Sequence, residues 1–361
     1  MTLNPNEAQI ANRHNPEYIF STITRSLNTL TDSDKQTKKQ TSTDLYTFIC
    51  QTQPSLKPEL IQELLIKFNT KLIKFSFYDK IDKVRENTLK TLIYMYSYCT
   101  NAVKFFPFIF SSLVDKLDCN DLEGVGNLPE DIRPTPSQNP HIIIRTTEPI
   151  EEIRLLYIKL LHALIQHENA AIDDYRLFVQ DIVNISRTLC MDTCAAVAQS
   201  ACDFVAALAT RFGKDLLFYF NAILNRGLLY ALSHKQAKLR LAALNAVDKL
   251  VYCSPFKSNV QIMEQLVGYR DPHLVPIKDF YEPSTKFNYF AFLSCDANQI
   301  VLKRFYEVIS SWTLQLEDRN EFEPRVLPYM LTGLFDKNSE IALYVSERFE
   351  LMGKQYEIDN E

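Results

Sequence analysis

Glycine is scarce in this chain, and that scarcity excludes several common kinds of binding site. Seven of the 361 residues are glycine, about 2% where about 7% is usual. Loops that bind phosphates or dinucleotides need glycines at fixed offsets, but the seven present form neither a GxGxxG motif nor a P-loop. The hydrolase motifs GxSxG and HExxH are missing as well. We therefore expect a protein that is not an enzyme and that uses no cofactor.

A basic excess, closely paired cysteines and long apolar runs are also lacking. The chain has 39 lysines and arginines against 44 acidic residues, which argues against nucleic acid as a partner. The eight cysteines form no CxxC pair and are typical of reduced, buried thiols. The longest uncharged apolar runs, 105–114 and 216–225, are far shorter than the ~20 residues that span a membrane. We expect a cytoplasmic protein without a membrane or small-molecule partner.

The sequence does contain, in nearly every segment, the periodicity of amphipathic helices. One pattern recurs seven times: an acid, an aliphatic or β-branched residue five positions later, and apolar residues eight and eleven positions beyond that. The second position of the pattern is occupied by Thr37, Val84, Ile153, Val197, Leu239, Val301 and Ile341. Successive patterns lie 47, 69, 44, 42, 62 and 40 residues apart, and four of these spacings lie in or near the ~40–47 residues of a HEAT or armadillo unit.

The residues at the first position of the pattern suggest how neighbouring repeats are held together. It is occupied by Asp32, Asp79, Glu148, Asp192, His234, Asp296 and Asp336. An acid just before a helix can cap the free amides of its first turn. Directly after the second position stand Arg85, Arg154 and Arg240, and we expect each arginine to reach an acid of a neighbouring repeat. Trp312 occupies the last apolar position of the sixth pattern.

These patterns predict an all-α fold, a right-handed α-solenoid (superhelix) of about seven HEAT-like helix pairs in a single array over 1–361. Each pair has apolar faces that it can bury only against its neighbours. The predicted pairs are 17–30 with 33–50, 57–75 with 80–98, 101–117 with 148–166, 172–189 with 193–209, 214–232 with 234–251, 259–269 with 296–316, and 322–335 with 337–353. The two long spacings contain a Pro- and acid-rich insertion at 118–147 and an aromatic, Pro-containing insertion at 255–290.

Several runs resemble the HEAT-repeat family of axonemal dynein assembly factors. The runs are HKQAKLRLAALNAVDKLVYC at 234–253, the segment 310–357, EPIEEIRLLYIKLLHALI at 148–165 and LTDSDKQTKK at 30–39. Within 310–357 the matching positions are Trp312, Asp318, Arg319, Leu327, Pro328, Leu331, Leu334, Asp336 and Gly353. The chain departs from the pattern at Ala198, Leu302 and Ala342, which replace the arginine of the second helix.

The resemblance implies a non-enzymatic scaffold for cytoplasmic pre-assembly of axonemal dynein arms. Its implied partners are dynein heavy and intermediate chains, other assembly factors and chaperones. Two other classes stay open: a nuclear transport receptor or adaptor, which is also a HEAT or armadillo array, and a helical metal-dependent enzyme. The six histidines do not supply the clustered ligands that such an enzyme needs.

Two groups of residues are candidate protein-binding sites. The first is basic: Lys67, Lys71 and Lys74 lie in a 60° wedge beside an apolar helix stripe, where they can bind an acidic partner or can simply shield the stripe with their stems. The second is aromatic and lies in the insertion at 255–290: Phe280, Tyr281, Phe287, Tyr289 and Phe290. Dense aromatics in a loop suggest either a partner contact or a cover over the groove of the array.

Two further clusters have simpler interpretations. Cys190, Cys194 and Cys202, with His162 and His167 nearby in sequence, lack the CxxC-type spacing of zinc sites, so we interpret the thiols as packing residues. The carboxylate pairs Glu151–Glu152 and Asp173–Asp174 stand at predicted helix starts, where acids stabilise the helix dipole. The sequence thus predicts neither a metal site nor catalytic residues.

Overall fold

The structure, a computed structural model, is entirely helical where it describes the chain. The described residues are 15–32, 34–52, 55–117, 148–216, 218–253, 288–317 and 319–360, together with positions 263, 266 and 267. These ranges contain helices and no strand, which confirms the predicted all-α class. Within the same ranges, no helix is both long and apolar enough to cross a membrane. The insertion at 118–147 lies outside the described residues.

The chain divides into two compact units, with the boundary after Ile185. The helices of the first unit are α1 (Pro16–Asp32), α2 (Lys35–Tyr46), α3 (Pro58–Tyr78), α4 (Asp82–Tyr98), α5 (Phe106–Leu117) and α6 (Glu151–Ile165). Helix α7 (Val179–Cys190) crosses the boundary. The helices of the second unit are α8 (Ala195–Phe212), α9 (Phe220–Ile223), α10 (Leu229–Leu232), α11 (Ala237–Val251), α12 (Tyr289–Leu293), α13 (Gln299–Gln315), α14 (Arg319–Gly333) and α15 (Ser339–Asn360). The single array over 1–361 stays a prediction.

Within each unit the helices form successive antiparallel pairs. In the pair α3–α4, the side chain of Gln62, near the start of α3, accepts the backbone N–H of Asn101 just beyond the end of α4, at 2.8 Å. The second helices of consecutive pairs also contact each other: α2 with α4, α4 with α6, α8 with α11, α11 with α13 and α13 with α15. Stacking of second helices is the packing of an α-solenoid, in which each pair buries its apolar faces against the next.

The second position of the pattern lies in the core of this stack in every repeat except the first. The second pattern position is at most 1% exposed in six repeats: Val84, Ile153, Val197, Leu239, Val301 and Ile341. In the first repeat Thr37 is exposed, although the register of the helix is the predicted one. Asp32 is the last residue of α1, and the residue that caps α2 is Asp34, two positions after Asp32, just as the cap Asn298 stands two positions after Asp296. Asp34 accepts the N–H groups of Gln36 and Thr37 at 2.9 and 3.1 Å.

Two predicted helices are interrupted, and a third lies mostly outside the described residues. The predicted helix 172–189 is divided into a 3₁₀ turn (Ile172–Tyr175) and α7 (Val179–Cys190). The predicted helix 214–232 is divided into a 3₁₀ turn (Gly213–Leu216) and a helical segment in which the π-helical turn Leu224–Leu228 separates α9 from α10. Gly227 lies in that turn, and a Cβ there would come within 3.3 Å of the Cys190 Cβ. Most of the predicted helix 259–269 lies outside the described residues, whereas Met263, Leu266 and Val267 are buried.

Close packing at the end of α14 leads to a prediction about stability. A Cβ on Gly333 would lie 2.8 Å from both Tyr306 Cε1 and Val345 Cγ2. We expect Gly333→Ala to destabilise the second unit by about 1–3 kcal/mol, because both neighbours must move. Gly353 in α15 has no atom within 4 Å of such a Cβ, so Gly353→Ala should stabilise by up to about 1 kcal/mol. Urea unfolding followed by far-UV circular dichroism measures both changes, and equal effects would contradict the packing argument.

Candidate protein-binding surfaces and the bonds that hold them

Five of the six repeated acids bond the turn that precedes the second helix. Each accepts the backbone N–H two residues further along: Asp79 from Ile81 (2.8 Å), Glu148 from Ile150 (3.1 Å), Asp192 from Cys194 (2.7 Å), Asp296 from Asn298 (2.8 Å) and Asp336 from Asn338 (2.8 Å). At the non-acidic position, Nδ1 of His234 accepts the N–H of Gln236 at 3.1 Å. The expected helix capping therefore needs correction, because these side chains stabilise the turn and lie outside the helix.

In the first unit, Arg85 joins one helix pair to the next. Its guanidinium donates to the carbonyl of Asp79 in its own turn at 2.8 Å and to the Glu148 carboxylate of the following pair at 2.9 Å. One pair earlier, the Lys38 ammonium lies 3.8 Å from the Asp79 carboxylate. Arg154 donates to the carbonyls of Glu148 and Pro149 at 3.1 and 3.0 Å. The contacts of Arg85 with Glu148 and of Lys38 with Asp79 join different pairs, and we call them the inter-repeat ladder. The Arg154 bonds lie within its own turn.

The second unit repeats the same geometry at Arg240. The guanidinium binds the Asp296 carboxylate through two bonds, Nε to Oδ2 at 2.6 Å and Nη2 to Oδ1 at 2.7 Å. It also donates to the carbonyl of His234 at 2.8 Å. The Asp296 side chain is 1% exposed. Because an unpaired buried carboxylate is strongly unfavourable, this bidentate bond fixes how α11 and α13 are aligned.

One junction of the ladder lacks both of its charges. Ala198 replaces the arginine, and the next pair carries His234 where the other repeats carry an acid. Burial, with Lys235 and Arg240 nearby, lowers the pKa of His234, so its imidazole is neutral at pH 7. Because His234 stands where an acid would be, the loss of the arginine at Ala198 leaves no carboxylate buried without a partner at this junction.

A second, polar bond network joins α11 to α13. The fully buried indole of Trp312 donates its N–H to Asp248 Oδ1 at 3.0 Å. Arg304 donates to Asp248 Oδ2 at 2.7 Å and to Asn245 at 2.7 Å. The sequence analysis placed Trp312 in the core but missed its polar partners. The signal that could have found them is Asp248, an acid between the apolar positions of the α11 stripe.

The three lysines of the candidate basic surface are exposed on α3. The Lys67 ammonium lies 4.8 Å from the centre of the Phe20 ring and 5.4 Å from that of Phe68, so this lysine covers aromatic surface at the junction of α1 and α3. Lys71 and Lys74 take part in no ion pair within the described part of the chain. Ile66, 62% exposed, directly precedes Lys67 and lies about 100° from it around the helix. Helix α3 thus exposes charged and apolar side chains on neighbouring parts of its surface.

The structure places the aromatic candidates differently. Phe290 was proposed as a contact residue, but it is 1% exposed, and its ring packs against Phe305 (5.3 Å between centres), Trp312 (6.2 Å) and Tyr329 (5.6 Å). It is a core residue because α12 lies against α13 and α14. Tyr289 is partly buried, and burial raises the pKa of its hydroxyl. Phe280, Tyr281 and Phe287 lie outside the described residues.

Of the predicted thiol and histidine cluster, Cys190, Cys202 and His167 are buried in the helix packing, and Cys194 and His162 are partly buried. No three His, Cys, Asp or Glu side chains converge as metal ligands among the described residues. A hydrogen bond with Cys190 raises the pKa of Cys202, and burial adds to the effect. His167 is buried, with its Nε2 3.0 Å from the carbonyl oxygen of Cys99. These groups connect neighbouring helices.

Comparison with known proteins identifies one family. A family profile described as "Dynein axonemal assembly factor 5-like, TPR repeats" matches residues 142–268 and 287–361, more than half of the chain. TPR units, like HEAT units, are helix pairs.

Curated relatives named Dynein axonemal assembly factor 5 are similar to this chain. The mouse protein is 25% identical over 214 residues, covering 59% of this chain and 22% of its own length. The Xenopus laevis protein is 19% identical over 343 residues, covering 95% and 34%. The chain thus spans about a fifth to a third of the length of these relatives. Among solved structures, the designed armadillo repeat protein YIII(Dq)4CqI aligns with a TM-score of 0.46 and 14% identity, covering 79% of this chain and 97% of that one.

The buried rung between Arg240 and Asp296 provides a test of the ladder. We expect Arg240→Met to destabilise the second unit by about 3–5 kcal/mol, because it leaves the Asp296 carboxylate buried without its partner. In a double-mutant cycle with Asp296→Asn, the coupling energy should be about 1.5–3 kcal/mol. Fluorescence of Trp312, the sole tryptophan of the chain, during urea unfolding reports on this unit.

The matched control is the exposed pair Lys303–Glu340, whose side chains are 47% and 77% exposed at 3.9 Å. Lys303→Met should change stability by less than about 1 kcal/mol. A coupling energy at Arg240 and Asp296 no larger than that of the exposed pair would show that the rung does not hold the repeats together.

Proposed function

Because the chain belongs to the dynein axonemal assembly factor 5-like family of helical-repeat proteins, we propose that it is a non-enzymatic scaffold for assembling axonemal dynein arms. It acts in the cytoplasm, before the arms reach the axoneme. Its clients are dynein heavy and intermediate chains, and it works beside other assembly factors and chaperones. The observation that carries this proposal is the family match over more than half of the chain.

The mechanism is multivalent holding. Stacked helix pairs present a continuous surface whose geometry is set by the contacts between repeats. A client that touches several repeats gains affinity from each weak contact, and two clients held on one scaffold have a raised effective concentration for each other. The buried ladder supports this role because it holds neighbouring pairs in one alignment.

One client-binding surface is the basic face of α3. Lys67, Lys71 and Lys74 project from one helix face and attract an acidic client segment, while exposed Ile66 adds apolar contact. Charged groups of this kind increase the association rate and make binding depend on salt. Binding at this face should therefore weaken as ionic strength rises.

Genetic loss tests the function. In a ciliated cell that expresses this chain, its removal should leave cilia without dynein arms, with dynein subunits accumulating or being degraded in the cytoplasm. Electron microscopy of axonemes and immunoblots of cytoplasmic and axonemal fractions measure the two effects. Normal arms after complete loss would remove the proposal.

Charge reversal tests the client surface separately. We expect the triple variant Lys67→Glu, Lys71→Glu, Lys74→Glu to capture at least about tenfold less dynein heavy and intermediate chain from cytoplasmic extract, since several attractive contacts become repulsive. The matched control reverses three exposed lysines of the same unit: Lys35→Glu, Lys57→Glu and Lys104→Glu. Equal capture by the two triple variants would mean that net charge, and not this face, determines binding.

A further inference from the structure

The basic face of α3 continues into an acidic part toward the start of the same helix. At 100° per residue, Glu59, Glu63, Lys67, Lys71 and Lys74 fall within a wedge of about 120°, and all five are exposed. We call these five residues the charged stripe. Its first two positions are acidic and its last three are basic, so the two signs are separated along the helix.

The charged stripe lies on a helix that has neighbours on both sides. Helix α3 contacts α1 on one side and α5 on the other, and its inner face is buried through Leu64, Phe68 and Leu72. The stripe occupies the outer face that remains. Because further helix pairs stack onto the ends of such an array, the exposure of this stripe does not depend on where the sequence begins or ends.

Neither the helix dipole nor pairing within α3 accounts for the separation of the two signs. The dipole acts on charges in the first and last turns of a helix, and among the five residues only Glu59 lies in such a turn. Glu63 and Lys67 are four residues apart, a spacing at which opposite charges can pair. Within the described part of the chain, however, neither glutamate forms an ion pair. The charges of the stripe are therefore available to a partner.

We propose that the charged stripe binds a bipolar helix of a client protein, whose acidic end lies over the three lysines and whose basic end lies over Glu59 and Glu63. This inference rests on the proposed client-binding role of α3 and deepens it, because it adds the direction in which the client lies. Complementary charges give a protein contact its specificity, and like charges placed opposite each other suppress wrong partners. A uniformly acidic segment is attracted by the lysines but repelled by the two glutamates.

The spacing of the charges favours a helix as the bound segment. The charges recur every three or four residues of α3, about 4.5–6 Å apart along its axis. A second helix laid alongside repeats its own charges at the same pitch, so opposite charges stay matched over the about 23 Å from Glu59 to Lys74. In an extended strand, residues on one side recur every ~6.6 Å, and its charges lose their match with the stripe.

Two exposed side chains of α3 add apolar contact. Ile66, 62% exposed, precedes the basic part of the stripe, and Tyr78, 47% exposed, follows it. The Tyr78 ring is held from α5, since the Lys116 ammonium lies 4.6 Å from its centre. A helix bound along the stripe therefore meets apolar surface at both ends of the basic part.

Synthetic helical peptides of about 20 residues, long enough to cover the stripe, test the proposal when they are added to the 361-residue chain. The bipolar peptide carries glutamates in one half and an equal number of lysines in the other, and the mixed peptide has the same composition with the two signs interleaved. Fluorescence anisotropy at about 20 mM salt, where screening is weak, measures binding. The unchanged chain should bind the bipolar peptide at least about fivefold more tightly than the mixed one, because several exposed ion pairs, each weak, act together.

Reversing the acidic part separates a bipolar client from a uniformly acidic one. The double variant Glu59→Lys, Glu63→Lys should bind the bipolar peptide at least about fivefold more weakly, since two attractive contacts become repulsive. It should bind a peptide whose only charges are glutamates more tightly than the unchanged chain does. The matched control, Glu152→Lys with Glu168→Lys, makes the same charge change at exposed acids elsewhere in the first unit and should keep the affinity for the bipolar peptide within about twofold. Circular dichroism confirms that each variant is folded.

Exchanging every charge of the stripe should restore binding. A variant that combines the double variant with the lysine-to-glutamate triple variant again presents a bipolar stripe, in the opposite direction. It should bind the bipolar peptide about as tightly as the unchanged chain, although the double and triple variants each bind it weakly.

Equal binding of the bipolar and mixed peptides, absence of binding by both, or no recovery in the five-site variant would overturn the bipolar client. If the triple variant loses the peptide while the double variant keeps it, α3 remains a basic client surface and only the bipolar inference fails. Genetic loss bears on the proposed function alone, so the two failures are distinguishable.

Discussion

The interaction on which the alignment of the helix pairs depends is a buried bond from an arginine to a carboxylate of the next pair, made by Arg85 with Glu148 and by Arg240 with Asp296. Apolar packing supplies most of the stabilisation of a stacked array, but it has no direction and tolerates sliding of one pair on another. The bidentate bond between Arg240 and Asp296 opposes such sliding, because a displacement of one pair leaves a buried charge without its partner. The ladder therefore selects one alignment among many apolar ones.

The turn geometry explains why the ladder can form at all. The acid accepts a backbone N–H of its own turn, as Asp296 does from Asn298 at 2.8 Å, and this bond holds the carboxylate in the orientation that the arginine needs. The arginine in turn donates to a carbonyl of its own turn, as Arg85 does to Asp79. Both charged groups are held in place from within their own repeat, so less side-chain freedom is lost when they pair.

The basic face of α3 suits a surface that binds other proteins. Three exposed lysines project from α3, whose opposite face is packed into the core. Their side chains therefore start from fixed backbone positions. A scaffold built this way binds through positions on rigid helices and does not need a folding step.

The sequence by itself determined the helices, their pairing and the apolar stripe, because these follow from a 3.6-residue period and a repeat of some forty residues, both of which are local patterns. It also indicated the partners of Arg85 and Arg240, since the acid and the arginine recur at fixed spacing. Only the tertiary structure decided that Phe290 is buried, that Asp248 binds Trp312, and that Thr37 is exposed in the first repeat. A residue's burial depends on which distant helix lies over it, and that neighbour is chosen by the packing of the whole unit, which no local period records.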